Sequence, residues 1–197
     1  MRKVAGLVLA AGGGRRYGGP KALVRYGGRL LVERAVDTLR TAGCDPVLVV
    51  VGAAADRVRA EADLDGAAPV DNPAWETGMG SSLRVGLGAL AATDAVAAAI
   101  LLVDMPGVTA AAVERVAAGA TATTLAMGGY GGRRGHPVVA GREHWAGIAA
   151  LAEGDVGARP YLRTHEVVVV PCDDVAEDFD LDVPPAGDTP VGPRDTF

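Results

Sequence analysis

A chain of 197 residues, 49% hydrophobic and 22% charged, has the length of one domain and enough apolar material for its own core, which excludes wholesale disorder. Its 19 Lys and Arg against 24 Asp and Glu leave a net charge of −5, which excludes a nucleic-acid protein held by bulk positive charge. Two cysteines, Cys44 and Cys172, form neither a zinc spacing nor a disulfide framework and read as reduced thiols.

Arg2 and Lys3 precede a short apolar run, Val4 to Ala11, which imitates a secretion signal but flows into Gly12-Gly13-Gly14 with no cleavage pattern. Val4–Leu9 therefore reads as a strand buried on both faces. Val32, Ala35, Val36 and Leu39 recur at helical spacing, with Gly43 as the stop. Val47–Val51 is a second strand. Leu83, Leu87 and Leu90 mark a helix opened by Ser81 or Ser82 as N-cap. Ile100–Val103 is a third strand, and the run around it is too short for the ~20 residues that cross a bilayer. Ala111–Ala118 predicts a third helix. Gly128–Gly135 is too glycine-rich for either element and predicts a mobile loop leading into Val138–Ala140. Val167–Val170 is a further strand, and Pro184–Phe197, with four prolines, predicts a frayed tail. The expectation is one domain over 1–183, a flexible tail over 184–197, and an α/β fold with a mainly parallel sheet. No membrane contact and a cytoplasmic location are expected.

The densest chemical signal is Leu9-Ala10-Ala11-Gly12-Gly13-Gly14-Arg15-Arg16-Tyr17-Gly18-Gly19-Pro20-Lys21, which begins where the first strand ends. Its backbone N–H groups suit phosphate oxygens, and Arg16 and Lys21 would neutralise their charge. It satisfies neither the Walker pattern nor the dinucleotide fingerprint, and a plain strand-to-helix turn is the alternative. Asp104-Met105-Pro106 puts a carboxylate after the third strand, either to hold Mg²⁺ or to cap the next helix. Asn72 to Leu83 offers Gly78 for close backbone approach, and Ser81 and Ser82 for either ligand binding or N-capping.

Together these segments resemble the nucleotidyltransferase family that includes molybdenum cofactor cytidylyltransferase and molybdopterin guanylyltransferase. Leu9, Ala10, Ala11, Gly12, Arg16, Gly18 and Lys21 match its opening pattern, and Gly78, Ser81, Ser82, Leu83 and Gly86 look like the cytidylyl branch. Asp104-Met105-Pro106 matches its metal segment, while Gly135-His136-Pro137-Val138 and Asp180-Leu181-Asp182-Val183-Pro184 are similar to two later signatures. Gly14, Tyr17 and the Pro185-Ala186 pair depart from it.

The resemblance implies a three-layer Rossmann-like nucleotidyltransferase fold with a mainly parallel central sheet. It implies Mg²⁺-dependent transfer of CMP from CTP to the terminal phosphate of molybdopterin, with release of pyrophosphate. Arg16, Lys21 and Asp104 would be catalytic, and Asp104, with Asp180 as a second candidate, would hold the metal. The nucleotide would meet Leu9, Ala10, Ala11, Gly12, Gly13, Gly14, Gly78, Ser81 and Ser82. His136 and Trp75 are candidates for the acceptor side, with a buried histidine and a loop anchor as their alternatives. Ala11 stands where the guanylyl branch has Gly, and its methyl favours a pyrimidine. The implied partners are CTP, the molybdopterin cofactor and, transiently, a molybdoenzyme or its maturation factor. The alternatives are GTP as donor, another phosphorylated acceptor, or an NAD(P)H-dependent oxidoreductase of the nicotine blue oxidoreductase type on the same scaffold.

Overall fold

A computed structural model describes residues 3–15 and 17–181, built around a seven-stranded sheet. The tail expected over 184–197 lies outside the described residues, as do Arg16 and Asp182. The first apolar run forms β1 (Val4–Leu9), and a 3-10 turn at Lys21–Leu23 leads into the small hairpin β2 (Arg25–Tyr26) and β3 (Arg29–Leu30). Then come α1 (Leu31–Thr41), β4 (Val47–Val51), α2 (Ala55–Glu61) and β5 (Ala68–Asp71). A 3-10 turn at Trp75–Thr77 precedes α3 (Met79–Leu90), β6 (Ala97–Leu102) and α4 (Ala110–Ala117), the last capped by Thr109. The chain finishes with β7 (Leu125–Tyr130), β8 (Arg133–Gly141), α5 (Arg142–Leu151), α6 (Arg159–Arg163) and β9 (Val168–Pro171).

The strand order is β5-β4-β1-β6-β8-β7-β9. β8 runs antiparallel to both its neighbours, β6 and β7, and every other pairing is parallel. α1 and α4 cover one face and α3 and α5 the other, so the fold is the expected three-layer α/β sandwich. Double coverage explains the unbroken apolar strands. Val8 packs under α1 while Leu7 and Leu9 pack under α3, so both parities of β1 must be hydrophobic. Leu7, Leu39, Leu83 and Leu87 are fully buried, each contributing about 1.5–3 kcal/mol of transfer free energy. Among the described residues no helix is long and apolar enough to cross a membrane.

Two expectations are corrected. The stretch 128–135 is not a loop, because Gly131 and Gly132 (φ 54° and 78°) turn a two-residue hairpin in which Tyr130 pairs with Arg133. Gly128 and Gly129 are there for space, since a Cβ on either would lie 2.7 Å from the His136 carbonyl oxygen or from Val169. The second predicted helix starts at Met79, with Gly78 as its N-cap, and neither serine caps it. Asn72 engages both hydroxyls instead.

Candidate active site

The carboxyl ends of β1, β4 and β6 meet at one edge, which is where open α/β sheets present ligands. The exit of β1 is held from both sides: Ala10 N–H donates to Val50 O (2.9 Å), Ala53 N–H to Ala11 O (3.0 Å), and Val103 N–H to Leu9 O (3.2 Å). The glycine loop then folds on one carbonyl. Gly14 O accepts from the N–H groups of Tyr17, Gly18 and Gly19 at 2.9, 2.9 and 3.2 Å. Among the described residues no backbone carbonyl accepts from the N–H groups of Gly12, Gly13 or Gly14, so these remain for an anion.

This loop forms one wall of a cleft of about 440 Å³. Leu9, Ala11 and Leu102 floor it, and Trp75, Gly78, Met79 and Ser82 face the loop. Trp75 packs on the loop, so that a Cβ at Gly13 would sit 3.1 Å from its ring. At the base Lys21 Nζ donates to Asp104 Oδ2 at 2.7 Å, with side chains 17% and 20% exposed. Lys21 arrives from the turn behind Pro20 and Asp104 from the end of β6. Among the described residues no group of three or more His, Cys, Asp or Glu could hold a metal by protein ligands alone. One carboxylate beside a loop with open backbone N–H groups would fit Mg²⁺ that arrives on a substrate phosphate, since this ion keeps few protein ligands.

A second pocket of about 200 Å³ adjoins the cleft across Leu9, Met79 and Leu102. The thioethers of Met79, Met105 and Met127 line it, with Arg134, Arg159, Asp178 and Asp180 as charges and His136 on its wall. Leu181 N–H donates to Asp104 O (2.9 Å), which carries the 178–181 segment from this pocket to the end of β6. His136 is clamped by its backbone: its N–H donates to Asp178 Oδ1 (3.3 Å), and its carbonyl accepts from Tyr130 Oη (2.6 Å). Burial lowers the His136 pKa, with Arg159 assisting and Asp178 and Asp104 opposing, so the ring is neutral at pH 7. Below about pH 6.5 the unfolded chain takes up a proton that this folded imidazole resists, so stability falls with pH in that range. His136→Gln is expected to flatten the slope of melting temperature against pH between 7 and 5; an unchanged slope would place the acid sensitivity elsewhere.

The sequence-predicted residues divide by place. Leu9, Ala11, Gly12, Gly13, Gly14, Lys21, Gly78, Ser82 and Asp104 all line the cleft. Ala10 faces the core under α1, and Ser81 turns into the loop before α3, where its hydroxyl donates to Gly78 O (2.8 Å). The acceptor candidates separate, Trp75 lining the cleft and His136 the adjoining pocket, where Asp180 also lies. His144 and His165 sit elsewhere, packed around Tyr161, with His165 stacked on that ring at 3.8 Å. Sequence reasoning missed Asp155 in the cleft and Arg134, Arg159 and Asp178 in the second pocket. No spacing marks them, because each is a lone polar residue that the fold carries in from a distant segment. Asn72 was legible only as part of its segment, although a polar residue closing a strand before Pro73 signals a tertiary anchor.

The MobA-like NTP transferase domain matches residues 6–175. Nicotine blue oxidoreductase of Paenarthrobacter nicotinovorans is 38% identical over 189 residues, covering 91% of this chain and 92% of that protein. A probable molybdenum cofactor guanylyltransferase of Opitutus terrae is 38% identical over 114 residues, 55% of this chain and 51% of that protein. Among solved structures, the Rv0371c homologue from Mycobacterium sp. strain JC1 superposes with a TM-score of 0.79 at 32% identity, covering 93% of this chain and 92% of that one. Rv0371c of Mycobacterium tuberculosis in complex with manganese gives 0.74 at 30% identity, covering 95% and 94%.

Proposed function

This chain belongs to the MobA-like NTP transferase domain family of nucleotidyltransferases, and from that premise we propose that it transfers CMP from CTP to the terminal phosphate of molybdopterin. The observation that carries the reading is the Lys21–Asp104 pair at the base of the cleft, beside the open N–H groups of Gly12, Gly13 and Gly14. A phosphate oxygen of the acceptor bonds to the α-phosphorus, the α–β bridging bond breaks, and pyrophosphate leaves. The loop N–H groups hold the triphosphate in line, and Lys21 balances charge on the α-phosphate. Arg16, outside the described residues, is assigned the leaving pyrophosphate from its place in the sequence pattern. Mg²⁺ held by Asp104 and the phosphates supplies charge neutralisation when bound. That Rv0371c forms a complex with manganese supports the use of a divalent ion.

The base assignment rests on Ala11, whose methyl lines the cleft and leaves less room than glycine. One methyl discriminates by about 1–3 kcal/mol, which supports CTP over GTP by roughly 10–200-fold. The adjoining pocket, with three thioethers against which a flat ring packs well, is assigned to the acceptor. A cytoplasmic setting and transient delivery to a molybdoenzyme or its maturation factor belong to the same proposal.

One observation favours a second reading. Nicotine blue oxidoreductase matches this chain over nearly its whole length, which supports a nicotinamide dinucleotide in the same cleft. Thermal melts with CTP, GTP, ATP and NADPH, each with and without Mg²⁺, separate the two. A hundredfold excess over the dissociation constant adds about 2.7 kcal/mol, a rise of about 5–10 °C at this size. The largest rise is expected from CTP with Mg²⁺. A larger rise from NADPH, indifferent to Mg²⁺, would replace nucleotidyl transfer with hydride transfer.

A further inference from the structure

Asn72 is buried at the end of β5, with 1% of its surface exposed, and its side chain is fully engaged. Its Oδ1 accepts from Ala74 N–H at 3.0 Å, and its Nδ2 donates to Ser81 Oγ (2.8 Å) and Ser82 Oγ (3.0 Å). The orientation of this amide is determined. A backbone N–H only donates, so the atom facing Ala74 is the carbonyl oxygen and the NH₂ faces the serines. Both serine oxygens therefore accept, and each must send its own proton elsewhere. Ser81 returns its proton to Gly78 O or Ala74 O, at 2.8 and 3.1 Å. Ser82 is 5% exposed, lines the cleft, and has no acceptor for its hydroxyl proton among the described residues.

We propose that Asn72 is a positioning residue that turns the Ser82 hydroxyl proton into the cleft, so that the nucleotide seats a hydrogen-bond acceptor, a ring carbonyl or ring nitrogen, against it. A buried hydroxyl proton left without a partner is unfavourable, so a ligand that satisfies it is preferred over one that presents a donor there. Cytosine carries two such acceptors, O2 and N3. Asn72→Asp reverses the arrangement at nearly constant shape. The carboxylate still accepts from Ala74 N–H, but its second oxygen now accepts from Ser82, whose lone pairs then face the ligand. The inference rests on a nucleotide occupying this cleft, and it extends that reading to the polarity of one contact.

The test is a double-mutant cycle on CTP·Mg²⁺ affinity by titration calorimetry, repeated with NADPH. Ser82→Ala is expected to weaken CTP binding about tenfold, and Asn72→Asp more, because it sets lone pair against lone pair. The double variant should bind as Ser82→Ala does, since Asn72 acts through that hydroxyl. In turnover both changes should raise KM for CTP and leave kcat within about twofold. Ser82→Cys, which keeps the shape and weakens the donor, should lose affinity as Ser82→Ala does, and it leaves Asn72 in place should Asn72→Asp fail to fold. Additive effects, or wild-type affinity in Ser82→Ala or Ser82→Cys, would overturn the proposal. If the wild type takes NADPH and no CTP, cytidylyl transfer falls, while the same cycle read on NADPH still decides the role of Asn72.

Discussion

Asp104→Asn is expected to lower pyrophosphate release from CTP by about 10³-fold or more while leaving the sheet intact. The carboxylate sits just past β6 and takes the Lys21 ammonium at 2.7 Å, with both groups mostly withdrawn from water. The amide preserves volume and one acceptor oxygen, so the Lys21 contact weakens but persists. In the proposed reaction it would remove the negative charge that holds a divalent ion against the phosphates, an electrostatic term worth several kcal/mol in the transition state. The stability cost is smaller, about 1–2 kcal/mol, because Lys21 loses its counter-charge while keeping a hydrogen bond. Initial rates and thermal melts on the same preparation separate the two effects. Wild-type turnover in Asp104→Asn would remove this residue from the chemistry. Retained NADPH oxidation with no pyrophosphate release would point to the oxidoreductase reading.

Gly78→Ala is expected to be strongly damaging although it adds one methyl group to a wall of the site. Gly78 has φ of 108°, a region that side chains avoid, and its Cβ would lie 2.4 Å from the backbone carbonyl carbon of Gly154. Neither the strain nor the clash can be relieved by a side-chain rotation. Each contributes about 1–3 kcal/mol, so the melting temperature should fall by about 5–20 °C. Binding should weaken as well, because the displaced segment walls both pockets. Gly80 N–H donates to Gly154 O, Asp155 lines the cleft, and Arg159 lines the adjoining pocket. Gly88→Ala is the control in the same helix. It is exposed, its Cβ would meet nothing within 4 Å, and it should be neutral or slightly stabilising. Equal melting temperatures for the two variants would refute the close approach of α3 to residue 154.

Most of the sheet was legible because a strand covered on both faces must be apolar throughout, as Val4–Leu9 and Val47–Val51 are. β5 and the β7–β8 hairpin were not. β5 contains Pro69 at a sheet edge, where a missing N–H is tolerated, and the hairpin is rich in glycines that its neighbours require. α5 and α6 escaped for a different reason. Trp145 and Ile148 are buried but isolated among small and charged residues, so the period is carried by two side chains. The chemical segments behaved differently again. The glycine loop, Lys21 and Asp104 could be singled out as separate pieces. Their meeting at 2.7 Å spans 83 positions and comes only from β1 lying beside β6.

The α/β layering, the glycine-rich loop after β1 and the family could therefore be read from the chain alone, because these depend on local composition and on residues adjacent in the chain. The tertiary structure alone decided which polar groups share a pocket. It turned Ser81 away and left Ser82 facing the cleft, placed Trp75 in that cleft and His136 in the adjoining pocket, and brought Asp155, Arg159 and Asp178 to the pocket walls. The reason is physical: the direction of a hydroxyl and the partner of a carboxylate are set by neighbours from distant segments, and those neighbours exist only once the strands have paired.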